Sequence, residues 1–104
     1  MSRPREIDFR GINQAALQQV DLLLNCWLPG GRVEGAEYVA LNPKRADRRL
    51  GSFKVNMRTG AWGDFATDAV GGDLISLAAY LGDLTQRQAA NRLAKMLGVN
   101  RNDQ

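Results

Sequence analysis

The chain has 104 residues, of which 44% are apolar and 24% charged, with a formal net charge of +3; roughly 65% of the surface of such a chain can be buried, so one core without an obligatory disulfide or metal is expected. A single cysteine, Cys26, and the absence of histidine exclude an internal disulfide, a cysteine/histidine zinc cage within one chain and a histidine general base, so a binding module without cofactor is expected rather than an enzyme. The longest apolar run, Leu77 to Leu81, is too short to span a membrane, and no apolar stretch follows the basic Met1 to Glu6 start as a secretory signal would require, so a cytoplasmic location is expected.

Residues 13 to 28 read as a first helix, because Ala16, Leu17, Val20, Leu23, Leu24 and Trp27 recur at three-and-four spacing; Asn13 is placed to cap it and Pro29-Gly30-Gly31 to end it. Cys26 reads as a small buried hydrophobe of this helix. A strand follows at Glu37 to Leu41. A second is expected at Ser52 to Met57, where Phe53, Val55 and Met57 alternate with Ser52, Lys54 and Asn56, and a third at Ala61 to Ala66 after a turn containing Thr59-Gly60. Gly71-Gly72-Asp73 opens a helix with Leu74, Ile75, Leu77, Ala78 and Leu81 inward and Gly82 as its stop. Thr85 and Gln88 have capping-box spacing for a last helix, whose stripe of Ala89, Ala90, Leu93, Ala94 and Leu97 ends at Gly98. The expected fold is α+β: a small antiparallel sheet of about three strands packed by an N-terminal helix and a C-terminal helical hairpin. The whole chain, 1–104, reads as one domain with an ordered core over about 9–98 and frayed ends.

Charge is distributed unevenly. Residues 44 to 58 hold Lys44, Arg45, Arg48, Arg49, Lys54 and Arg58 against Asp47 alone, whereas residues 60 to 84 hold Asp64, Asp68, Asp73 and Asp83 with no base. The basic segment links two strands, and a loop of this kind can follow a phosphate backbone; four to six cations on a single strand would give log affinity a slope of about −3 to −4 against log salt. Lys54 extends the charge onto the outward face of its strand, and Asn56 on the same face is either a base-edge contact or an ordinary solvated amide. The orientation of Trp62 depends on the turn. A three-residue loop, Arg58 to Gly60, would put its ring beside Lys54 and Asn56 as a stacking platform; a two-residue loop would turn it into the core, the arrangement that large aromatics in small domains favour. Asp64, Asp68 and Asp73 could together be read as a Mg²⁺ site, and surface acids with a capping role explain them more simply.

The order Leu41-Asn42-Pro43, Gly51-Ser52-Phe53-Lys54-Val55, Gly71-Gly72-Asp73-Leu74-Ile75-Ser76-Leu77 and the Ala90 to Leu97 helix resembles the N-terminal zinc-binding domain of bacterial and phage DNA primases. Leu28-Pro29-Gly30-Gly31, Tyr38 to Pro43 and Asp64-Phe65-Ala66-Thr67 are similar to the start of primase-helicase proteins of proteobacterial phages and plasmids, and the likeness covers about residues 9 to 98. The family's Cys-x-x-His falls here on Asn42 and Arg45 and its Cys-x-x-Cys on about Phe65 and Asp68, so the resemblance implies a zinc-ribbon-like core without metal, held by burial of Leu41, Phe53, Val55, Phe65, Leu74 and Leu77. It further implies a replication module of a mobile element that contacts single-stranded DNA, or other nucleic acid, through Lys44, Arg45, Arg48, Arg49 and Lys54. The alternative expectation is a protein-interaction module that docks on a separate primase, helicase or host protein and modulates it.

Overall fold

A computed structural model describes residues 7–45 and 51–99. Among the described residues, four helices and five strands follow in the order α1 (Phe9–Leu17), α2 (Val20–Trp27), β1 (Arg32–Glu34), β2 (Glu37–Ala40), β3 (Phe53–Asn56), β4 (Trp62–Asp64), β5 (Ala69–Gly71), α3 (Leu74–Gly82) and α4 (Gln86–Leu97). The sheet is a fully antiparallel meander in the order β1-β2-β3-β4-β5, so it contains the three expected strands and adds one at each edge. No helix among the described residues is long and apolar enough to cross a membrane.

The single helix expected over 13 to 28 is two. Asp8, not Asn13, caps α1, its carboxylate accepting from the Gly11 amide, and the chain turns at Gln18 and Gln19 before α2 begins. Asn13 instead sits inside α1 and serves two other elements. Its Oδ1 accepts from the Leu74 amide at 2.9 Å, at the start of α3, and its Nδ2 donates to the Thr59 carbonyl at 3.3 Å, in the turn between β3 and β4. The end of α2 is fixed separately, because the Tyr38 hydroxyl on β2 donates to the Leu28 carbonyl at 2.8 Å. Cys26 is exposed rather than buried: Leu23 and Leu24 take the inward positions of α2, and Cys26 falls two residues past Leu24, on another side of the helix.

One face of the sheet forms half of the core. Tyr38, Ala40, Phe53, Val55 and Trp62 are buried against Leu74, Ile75 and Leu77 of α3, Ala90 and Leu93 of α4, and Ile12, Ala16 and Leu24 of the N-terminal helices. The two C-terminal helices are capped by Asp73 and Thr85 as expected, and α3 adds a capping box not expected from the sequence. Asp73 with Ser76 and Thr85 with Gln88 each form a reciprocal capping box, and Gly98 closes α4 at φ +73°. The stop of α3 falls one residue later than expected, on Asp83 in the left-handed region at φ +55°.

Candidate nucleic-acid interface

Strand alternation determines what each end of the sheet presents. Along β4, Trp62 points inward, Gly63 outward and Asp64 inward, and the chain continues this pattern to Phe65, whose amide still donates to the Ser52 carbonyl at 2.9 Å. Along β2, Ala40 is buried, Leu41 exposed and Asn42 buried. Asn42 and Asp64 are therefore enclosed, each with 1% of its surface exposed, whereas Phe65 is 75% exposed. This corrects the apolar closure expected here: Phe53, Val55, Leu74 and Leu77 are buried, but Leu41 and Phe65 lie outside.

A polar bridge closes this end instead. Asn42 begins a turn in which its Oδ1 accepts from the Lys44 amide (2.8 Å) and its carbonyl from the Arg45 amide (3.0 Å). Asp64 begins a matching turn, with Oδ1 accepting from the Ala66 amide (2.9 Å) and its carbonyl from the Thr67 amide (3.0 Å). The two turns meet side chain to side chain. Asn42 Nδ2 donates to Asp64 Oδ2 and to the Tyr80 hydroxyl on α3, both at 2.8 Å, and Arg45 Nε lies 3.3 Å from Asp64 Oδ2. Burial by itself raises the pKa of Asp64, but hydrogen bonds from Asn42 and the Ala66 amide, the charge of Arg45 and the Ser52 hydroxyl outweigh it, leaving the carboxyl below its ordinary 3.8.

The cations expected to form the binding ridge occupy three kinds of position. Arg45 reaches inward to the buried carboxylate of Asp64, which makes it a fastening of the fold. Lys44 pairs with the exposed Asp83 and sits 5.2 Å from the Tyr80 ring centroid, while Lys54 lies 4.0 Å from Glu37. Pairs with such exposed carboxylates contribute only about 0–1 kcal/mol and exchange readily for a phosphate partner. Arg58 is exposed in the β3–β4 turn and has no carboxylate within 4.0 Å among the described residues. Arg48 and Arg49 lie outside the described residues.

Two of the anticipated contacts are taken by the fold itself. Asn56 Oδ1 accepts from the Arg58 and Thr59 amides at 2.8 and 3.1 Å, so its carbonyl group shapes the turn. Trp62 is 7% exposed, pairs with Val55 across the sheet and donates its indole N–H to Ser76 Oγ at 2.9 Å. It is a core residue and presents no open ring to a base. Neither loop length considered for this turn occurs: Asn56 donates to the Ala61 carbonyl, leaving four residues, Met57 to Gly60, in the loop. Four and two share a parity, which is why Trp62 faces inward.

The aromatic that does face solvent is Phe65. It shares the outer face of the sheet with Lys54, whose ammonium is 5.8 Å from its ring centroid, with Gly63, which leaves the sheet surface bare between them, and with Val70, 73% exposed on the edge strand. Alternation counted outward from an inward Trp62 puts Phe65 outside; the apolar closure implied by the resemblance places it inside instead. No cluster of three or more His, Cys, Asp or Glu side chains suited to a metal occurs among the described residues, and Asp73 of the acidic trio caps α3. No protein-family model and no curated protein matches the chain.

Proposed function

We propose that this domain binds single-stranded nucleic acid, preferably DNA, as a non-catalytic primase-like module in the replication of a mobile element. The observation that carries this reading is the exposed Phe65 ring on the outer sheet face with Lys54 beside it. The segment from Leu41 to Ser52, which holds Lys44, Arg48 and Arg49, leaves β2 and enters β3 at this same end of the sheet. An exposed aromatic flanked by cations is the arrangement by which sequence-tolerant proteins stack a base and hold the adjoining phosphates. The resemblance to the primase zinc-binding domain supports the same reading. The resemblance implies ligand positions at Asn42, Arg45 and about Phe65 and Asp68, and in this chain the turns that begin at Asn42 and Asp64 are joined by the Asn42–Asp64–Arg45 bridge.

Fluorescence anisotropy with a labelled 15-nucleotide oligothymidylate tests this. Binding at 50 mM salt should weaken as salt rises, with a log–log slope of about −3 if Lys44, Arg48, Arg49 and Lys54 each neutralise a phosphate. Phe65→Ala should leave the fold intact, since the ring is exposed, and reduce affinity by about 5- to 150-fold, the loss of roughly 1–3 kcal/mol of stacking. No binding at 50 mM salt, or a Phe65→Ala affinity within twofold of the parent, would overturn the proposal.

A further inference from the structure

A second group of cations lies on α4, outside the basic segment of residues 44 to 58. This helix contains Arg87, Arg92 and Lys95 and no acid, all three are exposed, and none has a carboxylate within 4.0 Å among the described residues. Arg92 and Lys95 are three residues apart and so share one side of the helix. Arg92 also forms part of the wall of an open groove of about 420 Å³. The other walls are apolar: Trp27 at the end of α2, Pro43 in the Asn42 turn, Leu81 and Leu84 at the α3–α4 junction, and Met96, which is 57% exposed. An exposed methionine and a half-buried tryptophan in a concave apolar surface are the chemistry of a protein-docking groove.

We infer that this groove is a second binding surface, which takes an acidic amphipathic helix of a partner protein. Large apolar side chains of such a helix would fill the space between Trp27, Leu84 and Met96, and its carboxylates would meet Arg92 and Lys95. The charge pattern selects this occupant over the others. A second copy of the chain docked α4 to α4 would oppose Arg87, Arg92 and Lys95 with the same cations. A nucleic-acid strand would satisfy the cations but would place polar base edges against walls of leucine, proline and methionine. Asp83, beside Gly82 at the rim, is paired with Lys44 in the free chain, so the groove is open to an acidic ligand when no polyanion occupies Lys44. Phe65, Lys54, Gly63 and Val70 do not line this groove, so either reading can fail without the other.

The test uses the full chain and two designed 16-residue helical peptides, both with leucines at three-and-four spacing, one with glutamate and the other with lysine at the remaining positions. The glutamate peptide should bind and shift the indole N–H signal of Trp27, not that of Trp62, in a ¹H–¹⁵N correlation spectrum. The lysine peptide should bind at least tenfold more weakly. The double variant Arg92→Glu/Lys95→Glu, whose sites are exposed and whose fold is verified by circular dichroism, should reverse this preference. Equal binding of both peptides, no binding of either at millimolar concentration, or an unchanged preference in the double variant would overturn the inference. Displacement of the glutamate peptide by oligothymidylate, with the same Trp27 shift, would also overturn it by giving the face to nucleic acid.

Discussion

Trp62→Ala is expected to destabilise the fold by about 3–5 kcal/mol, the usual loss for truncating a large buried aromatic. The ring is enclosed on several sides by groups that cannot close the space it would leave. Its centroid is 4.8 Å from that of Tyr80 and 5.9 Å from that of Phe53, and its N–H is held by Ser76, which is itself part of the α3 capping box. On the sheet side, Gly71 lies so close that a β-carbon there would come within 2.2 Å of the indole nitrogen. For a domain of this size, a loss of that order lowers the melting temperature by roughly 12 °C or more. Urea denaturation and a thermal scan measure it directly. Trp62→Phe should retain most of the packing and lose mainly the hydrogen bond, a cost of about 1–2 kcal/mol. If Trp62 were instead a platform for bases, Trp62→Ala would weaken oligonucleotide binding while leaving the melting temperature within a few degrees of the parent, and that result would refute the core assignment.

The same residue shows why some of the architecture is legible in the sequence and some is not. Short-range signals translate directly: Asp73 as a cap, Thr85 with Gln88, and Gly98 act within one helical turn, and all three occur where the sequence places them. The alternation of Phe53 and Val55 likewise identifies the inward face of β3. Turn length is different. A change of one residue between β3 and β4 exchanges the two faces of everything that follows, and Arg58-Thr59-Gly60 is compatible with either parity. The choice is made by tertiary contacts, among them Asn13 reaching from α1 to the Thr59 carbonyl. The break at Gln18 and Gln19 is similarly invisible locally, since both residues favour helix and the apolar stripe runs through them. It allows α1 to pack against α3 and α4 while the end of α2 is pinned to β2 through Tyr38. The edge strands β1 and β5, three residues each, are too short to produce a periodic signal.

The candidate site is legible in kind but not in detail. A concentration of cations can be counted, but whether each one faces solvent depends on acids distant in sequence. Arg45 is drawn inward by Asp64 and Lys44 outward to Asp83, pairings separated by 19 and 39 residues. The face that bears Phe65 follows from the inward position of Asp64, an acid that composition alone assigns to the surface. Burial of Asp64 is tolerated because each of its oxygens has a partner within the two facing turns.

Those partners also make Asp64 the most sensitive polar position. Asp64→Ala should cost about 2–4 kcal/mol: it removes the acceptor of the Ala66 amide, an acceptor of Asn42 Nδ2 and a carboxylate beside Arg45. The lower part of the range for breaking a buried pair applies because Arg45 retains access to water. Asp64→Asn preserves the volume and the acceptor for Ala66, but removes the charge and turns an amide N–H₂ toward the donors of Asn42 and Arg45. The pH dependence separates charge from shape. Asp64 titrates below its ordinary value in the folded chain, so its contribution is fully present above about pH 4, the unfolded value, and is lost as pH falls through the lower folded value. Stability measured from pH 7 down to pH 2 should therefore fall more steeply in the parent than in Asp64→Asn, with the two curves converging at the acid end. Parallel curves across that window would mean that the carboxylate charge does not hold the two turns together, and that the Asn42–Asp64 contact is merely a neutral hydrogen bond.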